Sequence, residues 1–323
     1  MLFMEGELDL DRENPLTLLG VNCIYMVTAL LLVTLGYYLQ MQSIYMGLIV
    51  TELVIVMLPV IIYVKWKGAD PRRVFRLKGI NMRMLRLCIL ITLCIYPVGL
   101  FLNLLGNLVL SMFGELIPVS IPVAENVGEY LVNILVIGLT AGVAEEVFFR
   151  GFILKGYEGF GQNKSIMISA LLFGMFHFNI QNFIGPVFLG LVLGHMAVKT
   201  GSIAAPIAGH FLNNAISVTF MFAAETLSTA PAQIYENTAG VQTLAAGLVF
   251  WGIFAAAGGM TAHRLFRKLK ITRGLEECGG MSKGPEALAP APRFGDFIPV
   301  IITAVVFMAF CIAEILMIIG SAS

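Results

Sequence analysis

The chain reads as an all-α, polytopic membrane helix bundle, and three observations predict it. Of its 323 residues 58% are apolar and 12% charged, against roughly 45–50% and 25% in soluble domains. The apolar residues gather in runs of about 18 or more, enough for a helix to cross a bilayer. The Lys and Arg residues fall in alternate connections between those runs. A segment in lipid must satisfy its own backbone hydrogen bonds, so the runs are read as helices.

Nine helices are expected, over 15–39, 44–64, 87–113, 129–153, 165–179, 184–199, 203–223, 242–263 and 297–319. Met1 to Glu13 is acidic where a cleavable signal peptide would be basic, so the first run is expected to persist as a helix. The fifth and sixth are short for a span. They are expected to tilt, to end irregularly, or to be shielded by their neighbours.

Charge placement sets the orientation. Eight of the 20 basic residues lie in 65–86, three in 150–164 and seven in 264–293, with Arg12 and Lys199 left over. With nine spans and the N-terminus cytoplasmic, all of these fall on the cytoplasmic side. The opposite connections, near 40–43, 114–128, 180–183 and 224–241, hold none. The chain then divides into 1–127, three helices with a basic cytoplasmic loop at 65–86; 128–263, a core of helices four to eight; 264–296, a cytoplasmic linker; and 297–323, the ninth helix. The loop at 65–86 interleaves Val74, Phe75, Leu77, Ile80, Met82 and Met84 with its cations, which suits either an amphipathic stretch on anionic headgroups or a purely topogenic loop. Gly and Pro breaks over 276–296 predict a flexible linker. The cysteines, Cys23, Cys88, Cys94, Cys278 and Cys311, have no metal-like spacing and read as packing residues. Internal repeats, phosphate-binding glycine loops and nucleic-acid motifs are not found; membrane lipid is an expected partner, and nucleic acid is not. An inner (cell) membrane is the expected location.

Ionisable groups inside a bilayer are costly and are functional candidates by default. In Glu145-Glu146-Val-Phe-Phe-Arg150, residues 146 and 150 are four apart and share a helix face, while Glu145 points elsewhere. Glu146 is expected to pair with Arg150, leaving Glu145 to act as a base; a helix-end ion pair without chemistry is the alternative. In Phe173-Gly-Met-Phe-His177 the two rings lie one turn apart on the fifth helix. In the seventh, His210 and Asn214 are four apart and could donate to one oxyanion, with Asn213 turned away; interhelical glue is the plainer reading. Counted from the cytoplasmic helix ends, Glu145, His177, His210 and Asn214 all fall roughly 8 to 18 Å deep, so they can meet. A polar cavity open to the cytoplasm is expected between the fourth, fifth and seventh helices. Glu52 and Glu314 read as buried interhelical carboxylates or as lining a substrate path. His195 follows the close-packing pair Gly190 and Gly194 and reads as a packing residue, and His263 as interfacial.

The EExxxR, FxxxH and HxxxN segments, in that order on separate helices, resemble the CPBP intramembrane proteases, which include the CAAX prenyl endopeptidases and bacterial bacteriocin-processing or self-immunity homologues. The resemblance covers about 128–222. It implies an endopeptidase whose partner is a membrane-associated peptide or protein substrate, and in which Glu145 and His177 activate water, His210 and Asn214 stabilise the oxyanion, and Glu146, Arg150 and Phe173 support them. No cofactor is required on that reading. Glu145, His177 and His210 are the ligand set if Zn²⁺ is held, but the chain lacks an HExxH pair, and a ligating Glu145 would no longer be a free base. A CPBP-like partner protein that binds without cutting is the alternative, and a proton-coupled transporter ranks behind it.

Overall fold

The structure, a computed structural model, describes residues 16–118, 122–227, 241–269 and 292–321. Among these, nine long helices stand near the expected places: α1 Leu18–Gln42, α2 Ile44–Trp66, α3 Met82–Ser111, α4 Val127–Gly156, α5 Gln162–Met175, α6 Ile184–Thr200, α7 Ala204–Leu227, α8 Gln242–Lys268 and α9 Phe294–Gly320. Seven are long and apolar enough to cross a membrane; α5 and α6, at 14 and 17 residues, are not. The chain is a polytopic helical integral membrane protein. Most of the segment expected as a flexible linker, and Cys278, lie outside the described residues; α8 runs on to Lys268 and α9 begins at Phe294.

Local chemistry sets the helix ends. Asn81 and Asn126 accept hydrogen bonds from the backbone N–H groups of Arg83 (2.8 Å) and Glu129 (3.0 Å), capping α3 and α4. Extended Ser43 separates α1 from α2. Gly201, in the left-handed region at φ 65°, ends α6 and lets α7 begin three residues later.

The two ends of the bundle differ as the charges predict. Arg76 Nε donates to the carbonyl of Arg150 (3.2 Å), and its guanidinium also pairs with Glu158. Ser202 Oγ donates to the carbonyl of Lys78 (2.5 Å) and Lys199 Nζ to that of Phe266 (3.0 Å). The basic connections therefore meet at one end. At the other, Glu115 N–H donates to Ser321 Oγ (2.8 Å) and Gln181 pairs with the backbone of Ile117. In the loop at 65–86, Val74 and Phe75 are buried, with Phe75 against Gly151, while Leu77 and Met82 are exposed. The loop is thus folded over the Gly151 end of α4, and these two apolar side chains pack inward.

Close helix contacts bring the site together. A Cβ on Gly142 of α4 would lie 3.2 Å from the Phe211 backbone nitrogen of α7, and one on Gly190 of α6 only 2.9 Å from Ala170 Cα of α5. Glycine at these positions lets backbones approach. Behind α4 and α5 an aromatic core gathers Tyr25, Phe148, Phe149, Phe173 and Phe176, with Phe149 and Phe173 centroids 5.1 Å apart. Tyr25 OH donates to the carbonyl of Leu172 (2.9 Å). Cys88 and Cys311 are buried and Cys23 and Cys94 partly so, in keeping with packing roles.

Candidate active site

α4 supplies two carboxylates and a guanidinium. Arg150 Nη1 donates to Glu146 Oε1 at 2.7 Å, and both side chains are fully buried. The same oxygen accepts from His210 Nδ1 of α7 at 2.8 Å. A carboxylate held by an arginine only accepts, so Nδ1 carries the hydrogen. His210 Nε2 then faces Glu145, whose Oε2 is 3.6 Å away. Glu145 keeps 12% of its side-chain surface exposed, whereas Glu146 keeps none. The backbone widens here: Val147–Ile153, which contains Arg150, is wound as π-helix, and Ile134–Thr140 precedes the glutamates in the same form. Such turns recur at functional sites and leave carbonyls poorly partnered within the helix.

His177 lies beyond α5, not within it. The helix expected over 165–179 ends at Met175, and Phe178 adopts the left-handed conformation at φ 47°. That conformation is unfavourable for a residue with a Cβ and cannot continue a helix. His177 Nδ1 bonds the Phe173 carbonyl at 3.0 Å. A carbonyl only accepts, so in the neutral ring Nε2 presents its lone pair. The Phe173 ring joins the parts: it stands edge-on to His177 (5.1 Å) and to His210 (5.7 Å), and the Arg150 guanidinium lies 4.5 Å over it. Glu145, Glu146, Arg150, Phe173, His177 and His210 thus form one linked group from α4, α5 and α7.

Asn214 is placed differently from the simplest expectation. Its Nδ2 donates to the carbonyl of Ile137 at 3.0 Å, and its Oδ1 accepts from Asn213 Nδ2 at 3.2 Å. Ile137 lies in the π-wound stretch, a winding that helical spacing does not disclose. One amide hydrogen of Asn214 is therefore already committed. Among the described residues no three His, Cys, Asp or Glu side chains converge as metal ligands. Glu145, His177 and His210 therefore do not meet as a three-ligand set in this arrangement.

The other candidates are accounted for. Glu52 is buried in Thr51–Met57, which packs against Ala141–Glu146, and its Oε2 has no hydrogen-bond partner among the described residues. His195 Nδ1 bonds the Leu191 carbonyl at 2.8 Å. It also lines a cavity of about 410 Å³ with Lys199, His263 and Arg267. A second cavity, of about 430 Å³, is lined by apolar side chains of α1 and α2. Neither is the cavity expected between α4, α5 and α7. Glu314 accepts a hydrogen bond from the Ile180 N–H at 2.7 Å, a contact that sequence spacing could not reveal.

Residues 127–216, which hold every member of the linked group, match the family model described as type II CAAX prenyl endopeptidase Rce1-like. This segment is similar to the Rce1-like family. The match agrees with the resemblance read from the three motifs, and it leaves α1 to α3, α8 and α9 outside. The chain is also similar to an uncharacterized protein, YyaK, of Bacillus subtilis (strain 168), at 31% identity over 126 residues, covering 34% of this chain and 42% of that protein. The match thus spans less than half of that relative's length. No solved structure matches significantly.

Proposed function

We propose that the chain is an intramembrane endopeptidase that hydrolyses a peptide bond of a membrane-associated substrate, of the prenylated CAAX type or a leader peptide, in the cell membrane. The observation that carries this reading is the meeting of Glu145, His210 and the Phe173–His177 pair, from three helices, beside a carboxylate already neutralised by Arg150.

On this reading Glu145 takes up one proton of a water, whose other hydrogen is held by the Nε2 lone pair of His177, as the water oxygen adds to the scissile carbonyl. The developing oxyanion is met by the uncommitted Asn214 amide hydrogen, and by His210 when its Nε2 carries a hydrogen. Collapse of the tetrahedral species expels the amine, which takes the proton held by the glutamate. Arg150 and Glu146 hold His210 by Nδ1, so its ring orientation is set before substrate arrives. The aromatic core behind Phe173 excludes water from the far side, and Glu145 and His177, both partly exposed, are the groups open to it.

The test is cleavage of a membrane-embedded prenylated peptide by purified protein. Glu145→Gln and His177→Ala should each lower kcat by about 10²-fold or more; a Glu145→Gln variant that cleaves at the wild-type rate disproves the assignment. One observation favours a second reading, a CPBP-like partner protein that binds such a peptide without cutting it: the Asn214 amide is engaged by Ile137. That reading expects Glu145→Gln to bind the peptide and support biological function unimpaired.

A further inference from the structure

We propose that Glu314 of α9 is a positioning residue for His177, so that the last helix, outside the Rce1-like segment, completes the site. The inference rests on the hydrolytic reading above and deepens it. The turn that carries His177 leaves α5 at Met175, and the last helical bond there is that of the Phe176 N–H to the Leu172 carbonyl (3.1 Å). His177 and Phe178 N–H bond back to Gly174 (3.2 Å) and Met175 (3.1 Å). Left-handed Phe178 then redirects the chain, and the next bonded N–H, that of Ile180, donates to Glu314 Oε2 at 2.7 Å. This N–H is part-buried; left without an acceptor it would be costly, and a carboxylate is a strong acceptor.

The same helix holds the turn a second way. The Phe178 ring packs edge-on against Phe310 (5.5 Å) and Phe307 (6.3 Å). Phe307 also meets Phe183, where the chain re-enters the bundle, at 5.3 Å. Glu314 is 8% exposed and stands one turn beyond Phe310. An interhelical carboxylate serving only as glue could bond anywhere along α5 or α6. This one bonds three residues from His177, across a backbone kink that would otherwise be unfavourable. Fixing Ile180 and Phe178 fixes the Phe173-to-His177 hydrogen bond, and with it the direction of Nε2.

The chain has four histidines, so ¹⁵N-histidine NMR in detergent micelles can follow the His177 ring directly. Glu314→Leu, which removes the acceptor, should shift the His177 ring resonances and leave those of His195 and His263 in place. It should also lower kcat about tenfold with KM within about twofold. Glu314→Gln, which keeps an acceptor oxygen, should restore both readouts to within about twofold of wild type. If Glu314→Leu is too unstable to purify, Glu314→Asp, which withdraws the carboxylate by one methylene, should move the same resonances in the same direction. Unmoved His177 resonances in these variants, or a Gln variant as impaired as Leu, overturn the proposal. Failure of the hydrolytic reading would show separately, as a Glu145→Gln protein that cleaves as fast as wild type.

Discussion

Glu146 Oε1 lies 2.8 Å from His210 Nδ1, joining two residues 64 positions apart in the chain. The oxygen that orients the histidine is the one that neutralises Arg150. Ring orientation and charge balance therefore depend on a single atom.

Removing Glu146 alone should be severe. Glu146→Leu leaves Arg150 charged, buried and unpaired, and should lower stability by about 3–5 kcal/mol. The double change Glu146→Leu with Arg150→Met removes both charges and should recover most of that loss without restoring activity. Reversible unfolding in mixed micelles measures both variants; a double variant no more stable than the single one contradicts the ion-pair account.

Glu145 should behave in the opposite way. It makes no hydrogen bond to the described residues, and His210 Nε2 lies 3.6 Å from its Oε2. Glu145→Gln should therefore change stability by less than about 1 kcal/mol while removing activity. A large shift in melting temperature would assign it a structural role instead.

Asn214 joins α7 to α4 through the Ile137 carbonyl. Asn214→Ala should cost about 1 kcal/mol of stability and, if its second amide hydrogen meets the oxyanion, about 10²-fold in kcat. Parallel melting and rate measurements divide the two effects, and an unchanged rate removes Asn214 from the reaction.

The α5–α6 contact should tolerate little. A Cβ on Gly190 would come 2.9 Å from the Ala170 backbone, so Gly190→Leu should separate the helices and destabilise the fold by about 1–3 kcal/mol or more. Loss of folded protein in size-exclusion chromatography is the readout, with Gly159→Leu, where nothing lies within 4 Å, as the control that stays folded.

Topology can be read chemically. Single cysteines at Lys67 or Arg264, in a background without native cysteines, should react with an impermeant maleimide only from the cytoplasmic side, and one at Glu115 only from the other. Labelling of all three from one side would overturn the orientation.

The helices were legible in the sequence because a bilayer leaves few options. An apolar run of sufficient length has nowhere to place its N–H and C=O groups except in its own helix, and segregated Lys and Arg indicate which way it points. For the same reason Glu145, Glu146, Arg150, His177, His210 and Asn214 stood out: in apolar surroundings each ionisable or amide group is conspicuous. Spacing also anticipated the partnership of Glu146 with Arg150, since residues four apart share a face.

Only tertiary packing decided the rest, because partners on different helices follow no sequence period. It turned His210 toward both glutamates, engaged Asn214 with a carbonyl in a π-wound turn, ended α5 before His177, and set Glu314 of α9 on the turn that carries it. Local composition determines that a segment is helical and membrane-embedded. The direction a polar side chain takes at the end of that segment depends on which distant backbone groups remain unsatisfied, and those are known only once the helices are packed.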